Sequence, residues 1–207
     1  MGSVADALLP TALLAAGDEP ELVRSPATRY VAVLGAGAPG NEEYYRRMAL
    51  VSDVARALVP DRAAPGAAAP DRSVVEGQYW YPEGSAPVGI ADFYSVHPVT
   101  ELSYRLMVAV AQETTADDVA AARTAAASPS DTAGDALEVV DLPEETVVQV
   151  MHHGPFADEL ATLDRLGRFA AGAGVARSGP HREVYLVAYT AETPQDGLRT
   201  ILRDPVA

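Results

Sequence analysis

Apolar residues in this chain fall into short runs separated by Gly- and Pro-rich breaks, and the spacing within each run predicts its element. "RYVAVL" (29–34) reads as a strand, which "GAGAPG" breaks. Asn41 is placed to cap a helix whose first turn holds Glu42 and Glu43, where the helix dipole favours negative charge. Tyr44, Met48, Val51, Ala55 and Leu58 then recur at helical spacing and give one apolar face, ended by Pro60. "DRAAPGAAAPD" is a loop. Strands are expected at about 74–81 ("VVEGQYWY") and 101–111 ("ELSYRLMVAVA"). Thr115 with Asp118 resembles a capping box opening the Ala-rich helix "ADDVAAARTAAAS".

The second half begins near Ala136. "ALEVVDL" and "TVVQVMHH" are expected to pair around the turn "PEE", and "GPF" breaks the second of them. A helix is predicted from about Asp158 to Ala173, with Leu160, Leu163, Leu166, Phe169 and Ala170 inward and Gly174 as its stop. A strand follows at 181–190, and Thr193-Pro194 is read as opening a final short helix, "PQDGLRTILR". The two halves rhyme: strand, Gly/Pro break, amphipathic helix, strand. The expected fold class is therefore α+β, with two pseudo-two-fold-related strand–helix–strand–strand modules (about 20–127 and 136–207) forming a duplicated antiparallel sheet and a ligand cleft between the helices. Residues 1–19 are read as an N-terminal extension, and they and the loop 62–72 as flexible segments or covers of the cleft.

The 207 residues, 48% of them apolar, are enough for one sizeable core. No run approaches the roughly 18 apolar residues of a membrane helix. The opening "ADALLPTALLAAG" carries Asp6 and lacks a basic flank, which argues against a signal peptide and gives a cytoplasmic expectation. There are no cysteines, which excludes disulfides and thiolate metal sites. The formal charge of −14 repels nucleic acid. "GAGAPG" matches G-x-G-x-x-G, but about twenty residues on it offers only Asp61 in a Pro/Ala loop, and the following segments read as hairpins, so no nucleotide cofactor is expected. His152 and His153 are adjacent in a strand and point to opposite faces, so they do not share a metal; none is expected.

The stretch that breaks the pattern is "HREVYLVAYT". Alternation puts Val184, Leu186 and Ala188 on one face, suited to a helix-covered core, and Glu183, Tyr185, Val187 and Tyr189 on the other. An acid on an apolar-aromatic face is unusual for either core or surface. Tyr79 and Trp80 of "QYWY", Tyr45 on the flank of the first helix, Tyr104 and Met107 of the next strand, and Phe156 after the second break supply enough material to line one cleft around it. Burial disfavours the ionised carboxylate, and a lipophilic cation would offset that cost while aromatic faces attract it. The expected ligands are small hydrophobic or cationic aromatic compounds, with no cofactor.

The whole set of motifs resembles one family. "QVMHHGPF", the helix after it, "GPHREVYL" and "LRTILRDPV", together with "RYVAVLGAGAPGNEEYY", "EGQYWY" and "SYRLMVAV", are similar to the GyrI-like small-molecule-binding proteins, which are related to effector-binding domains of multidrug-sensing transcription activators. The resemblance covers about residues 20–206. It implies that Glu183, with Tyr185 two residues on, faces the ligand, and that the tryptophan-rich wall of the family maps onto Tyr79 and Trp80. Here Tyr79 departs from the pattern, as do Tyr104, where relatives often have Trp, and Arg105, where they often have Thr. It implies multidrug binding, or, as in some relatives, a hydrolase opening cyclopropane rings of DNA-alkylating natural products, with Glu183 as acid/base and Tyr185 holding the substrate carbonyl. A third implied role is a partner of DNA gyrase, the acidic chain acting as a DNA mimic.

Overall fold

Each apolar run becomes an element close to where its spacing puts it, until the last quarter of the chain. In the computed structural model, which describes residues 8–58, 71, 73–132 and 134–207, the elements are β1 (Glu21–Ser25), β2 (Thr28–Ala36), α1 (Glu42–Ala57), β3 (Val75–Trp80), β4 (Ser103–Val110), α2 (Ala116–Ala126), β5 (Leu137–Leu142), β6 (Glu145–His153), α3 (Glu159–Gly172), β7 (His181–Tyr185) and β8 (Arg199–Pro205). Asn41 caps α1, its Oδ1 accepting from the Tyr44 N–H at 2.8 Å. Thr115 and Asp118 form the reciprocal capping box of α2. The expected stop at Pro60 and the loop 62–72, Asp71 apart, lie outside the described residues.

The strands form one antiparallel sheet in the order β1-β6-β8-β7-β3-β4-β2-β5. Read outward from the central β7–β3 pair, the order is symmetric: β8 answers β4, and β6 answers β2. The flanking strands cross over. β1 precedes β2 in sequence but pairs with β6, and β5 precedes β6 but pairs with β2. "ALEVVDL" and "TVVQVMHH" are therefore not a hairpin: both edges of β6 are taken by β1 and β8, and β5 sets Val139 and Val140 against Val31 and Tyr30. The final helix is also corrected. Only Gln195–Gly197 turns, as 3₁₀, and "RTILRDP" is strand β8, in register with both β6 and β7. A short apolar run does not distinguish helix from strand by periodicity, and two open strand edges decide it here. β7 stops at Tyr185, five residues short of its expected end.

The three helices cover one face of the sheet. On it, Tyr44, Met48 and Val51 of α1 pack with Val31, Val33, Tyr79 and Leu106, and α2 adds Val119 and Ala122. Leu163 and Leu166 of α3 pack with Val148, Val150 and Leu202. The other face carries Tyr30, Ala32 and Met107, and beside them Val184, Ile201 and Met151, beneath Leu13, Leu14 and Ala16. It also buries charge: Arg182 pairs with Glu76 at 2.8 Å, and Arg203 reaches Gln149 at 2.7 Å and the Leu13 carbonyl at 2.9 Å. Thus the described part of the N-terminal extension lies across the sheet face opposite the helices. Val184, expected under the helices, faces this extension; the helices cover the face of Glu183.

Candidate functional site

The two Gly/Pro breaks meet at one place. Pro39 and Gly40 from the first, and Phe156 and Ala157 from the second, line a cavity of about 290 Å³ between the starts of α1 and α3. Gly154, with φ of +98°, lets the chain leave β6 sharply enough for the 3₁₀ turn Phe156–Asp158 to bring Glu159 to the cavity at the first residue of α3. Tyr44, Tyr45, Tyr94, Tyr185 and Tyr189 form the aromatic lining, and Glu183 enters from the sheet.

Register explains why Glu183 stands here. In β7, His181, Glu183 and Tyr185 share the helix-side face; opposite them in β3 stand Tyr79, Gly77 and Val75. A Cβ on Gly77 would lie 2.3 Å from the Tyr79 hydroxyl, so glycine is what allows the Tyr79 ring to fold back toward Tyr185. The hydroxyls then form a chain. Tyr79 bonds Tyr185; Tyr44 bonds Tyr79 at 2.6 Å and Tyr185 at 3.0 Å; Tyr189 lies 3.4 Å from Tyr44. The chain ends on Glu183, whose Oε2 accepts from Tyr185 at 2.7 Å and whose Oε1 accepts from Tyr94.

Glu183 also has a cationic neighbour within the protein. His181 Nε2 is 3.5 Å from Glu183 Oε1, and His181 Nδ1 donates to Asp204 at 3.0 Å, both partners of this second bond being fully buried. Burial opposes the imidazolium, but Asp204 and Glu183 outweigh it and raise the His181 pKa to about 10. Burial also pushes the Glu183 carboxyl up, and the His181 imidazolium with the tyrosine donors outweighs it, so that Glu183 titrates below its usual range. Glu183 thus already has one cationic neighbour, His181, within the protein.

Glu159 behaves oppositely. Burial, and then the negative charge of Glu183, push its pKa well above the ordinary carboxyl range. Its Oε1 is buried without a hydrogen-bond partner among the described residues. Tyr44, Tyr79, Tyr94 and Tyr185 are raised by burial and by Glu183, and so stay protonated as donors. One cavity therefore sets a carboxyl held below its usual range beside one pushed well above it, within a ring of phenol donors. Among the described residues no cluster of His, Asp and Glu has the arrangement of a metal site.

Of the residues singled out from sequence, Glu183, Tyr185, Tyr45 and Phe156 line the cavity. Tyr79 and Tyr104 are fully buried behind it: Tyr79 carries the hydroxyl chain, and Tyr104 packs edge-on against Tyr44 and accepts from Arg47 at 3.1 Å. Trp80 and Met107 are elsewhere. Trp80 follows Tyr79 and so turns to the opposite face, beneath the Arg105 guanidinium; Met107 is buried there with Tyr30 and Ala32. Arg105 itself bonds Glu138 and Gln78. Sequence reasoning missed Tyr94, Glu159 and the role of His181, and placed Tyr44 only in the core. The signal for His181 was present, because a residue two before Glu183 in a strand shares its face. Tyr94 comes from the irregular segment between β3 and β4, where no periodicity points to it.

A family model for the GyrI-like small molecule binding domain matches residues 18–206. An uncharacterized conserved protein from Listeria innocua superposes with a TM-score of 0.71 at 23% identity, over 93% of this chain and 94% of its own. A hydrolase from Listeria innocua gives 0.69 at 22%, over 94% of each chain. SAV2435, solved with tetraphenylphosphonium bound, gives 0.50 at 12%, over 91% of this chain and 94% of its own. At these identities the likeness is one of fold. No curated protein matches the sequence.

Proposed function

This chain belongs to the GyrI-like small-molecule-binding domain family, and from that premise we propose that it binds flat, lipophilic small molecules in the tyrosine-lined cavity and hydrolyses those bearing a strained electrophile such as a cyclopropane. The observation that carries this is the pair of carboxyls, Glu183 and Glu159, lining one cavity; against burial, the His181 imidazolium and tyrosine donors hold Glu183 below its usual range, while burial pushes Glu159 well above it. Glu183 orients a water with an oxygen lone pair not used by Tyr185 or Tyr94. The water oxygen attacks the ring carbon, the strained C–C bond breaks, and its electron pair passes to the conjugated carbonyl oxygen. Glu159 donates the proton that this oxygen takes up, and Glu183 receives the proton lost by water. The net change is addition of one water. Lowered basicity suits Glu183 to this task, since a strained ring needs an oriented water more than a hydroxide. The hydrolase of similar fold supports the reading without deciding it.

Sequestration of lipophilic cations without turnover is the second reading. Two carboxylates and one imidazolium, Asp204, Glu183 and His181, leave one net negative charge beside aromatic walls, and a protein of the same fold holds tetraphenylphosphonium. A cyclopropane-bearing alkylator incubated with the protein separates the two. Product should pass one equivalent per protein and keep accumulating, and Glu183→Gln should slow it by about 10²–10⁴-fold, as loss of a general base does. A single equivalent of protected compound, with no product, leaves sequestration.

A further inference from the structure

A second hollow, also of about 290 Å³, adjoins the cavity on the far side of Tyr189. Three tyrosines, Tyr45, Tyr185 and Tyr189, line both. The rest of its wall is different. Met48 and Val75 form an apolar floor continuous with the core, Ala49 and Ala188 leave the sides open, and Ser52, Ser73, Thr190 and Thr193 put hydroxyls around it.

The partition between the two hollows is thin. Tyr189 meets Tyr45 edge-on at 6.0 Å and Tyr185 at 5.1 Å. It lies beyond the end of β7, and its hydroxyl contact with Tyr44, at 3.4 Å, is the longest of the tyrosine chain. Each hollow alone is at the bottom of the size range of small-molecule sites, and the two joined fall well inside it. The first presents Glu183 and Glu159; the second presents rings and hydroxyls, and its two charged wall residues, Asp53 and Arg56, pair with each other at 3.4 Å, which suits a flat ring system with polar substituents and no net charge.

We propose that the second hollow is a subsite for the tail of an elongated ligand made of two linked aromatic units, the head lying at Glu183 and the tail passing Tyr189 to rest on Met48 and Val75. Resting on the small-molecule reading of the first cavity, this adds the class of compound: extended, two-unit aromatics over single compact rings. Tyr189 is then the residue that sets the permitted length.

The test uses fluorescence titration of the full chain with a bisbenzimidazole dye and with 2-phenylbenzimidazole, its single-unit counterpart. Wild type should bind the two-unit dye about tenfold or more tighter. Ala49→Trp fills the second hollow alone and should erase that preference while leaving the single-unit affinity unchanged; Ala188→Trp, at an exposed position on the same hollow, should do the same if Ala49→Trp fails to fold. Ala157→Trp, which narrows only the first cavity, should weaken both dyes. Equal affinities in wild type, no binding of either dye, or a preference that survives filling the second hollow overturns the proposal. Because binding is read directly, a protein that binds this way yet never turns over would sink the hydrolase reading and leave the subsite standing.

Discussion

Glu183 and Tyr45 were legible because one residue's chemistry clashes with its pattern, and because a helix flank apart from the core stripe needs another use. The same alternation, applied consistently, separates Tyr79 from Trp80 and Tyr104 from Met107, since residues an odd number apart in a strand face opposite ways. It also joins His181 to Glu183. That pairing makes stability depend on pH with a definite sign. The His181 pKa rises from 6.5 to about 10 on folding, so its contribution is complete below about pH 6.5 and is lost as pH climbs through 10. The lowered Glu183 works the other way, contributing above its ordinary range near 4.5 and losing its share as pH falls through its folded value. The urea midpoint of wild type should therefore decline between pH 7 and 10, and His181→Gln should flatten that limb. An unchanged slope in the variant would show that His181 is not charged in the folded protein.

At the scale of elements, caps and helix faces followed from sequence spacing, as the Asn41 cap and the Thr115–Asp118 box show. Strand partners did not. β8 reads equally as helix, and β1 was not anticipated at all, because five residues of mixed polarity carry no periodic signal. The β3–β7 register matters most for chemistry, since it sets Gly77 against Glu183 and lets Tyr79 close the hydroxyl chain. Gly77→Ala should displace Tyr79 and destabilise the fold by about 1–3 kcal/mol through overpacking. Turnover should fall with it, and Gly77→Ala should cost less in a Tyr79→Phe background, where the hydroxyl nearest the new Cβ is gone. A melting curve of Gly77→Ala identical to wild type would mean that the ring has room to spare.

In the whole molecule, two half-sheets meet at β7–β3, the helices close one face, and the N-terminal segment closes the other. That segment supplies the Leu13 carbonyl to the buried Arg203 and the Ala15 carbonyl to Gln149. Removing residues 1–17 should therefore cost about 3–5 kcal/mol, because it exposes the apolar side chains that Leu13, Leu14 and Ala16 cover, while water takes over the lost carbonyl acceptors. Equilibrium unfolding of the truncated chain measures this, and a shift near zero would show that the segment is dispensable. Among the described residues no helix is long and apolar enough to cross a membrane. By itself the sequence determined the local elements other than β1 and β8, the family, and the presence of an acid among rings, because periodicity and residue chemistry are local properties. Only the tertiary structure decided which face the helices cover, that the two breaks meet at one cavity, and that Asp204 stands behind the His181 beside Glu183. These depend on strand partners and register between distant segments, and a hydrophobic pattern constrains which side is buried without naming what lies against it.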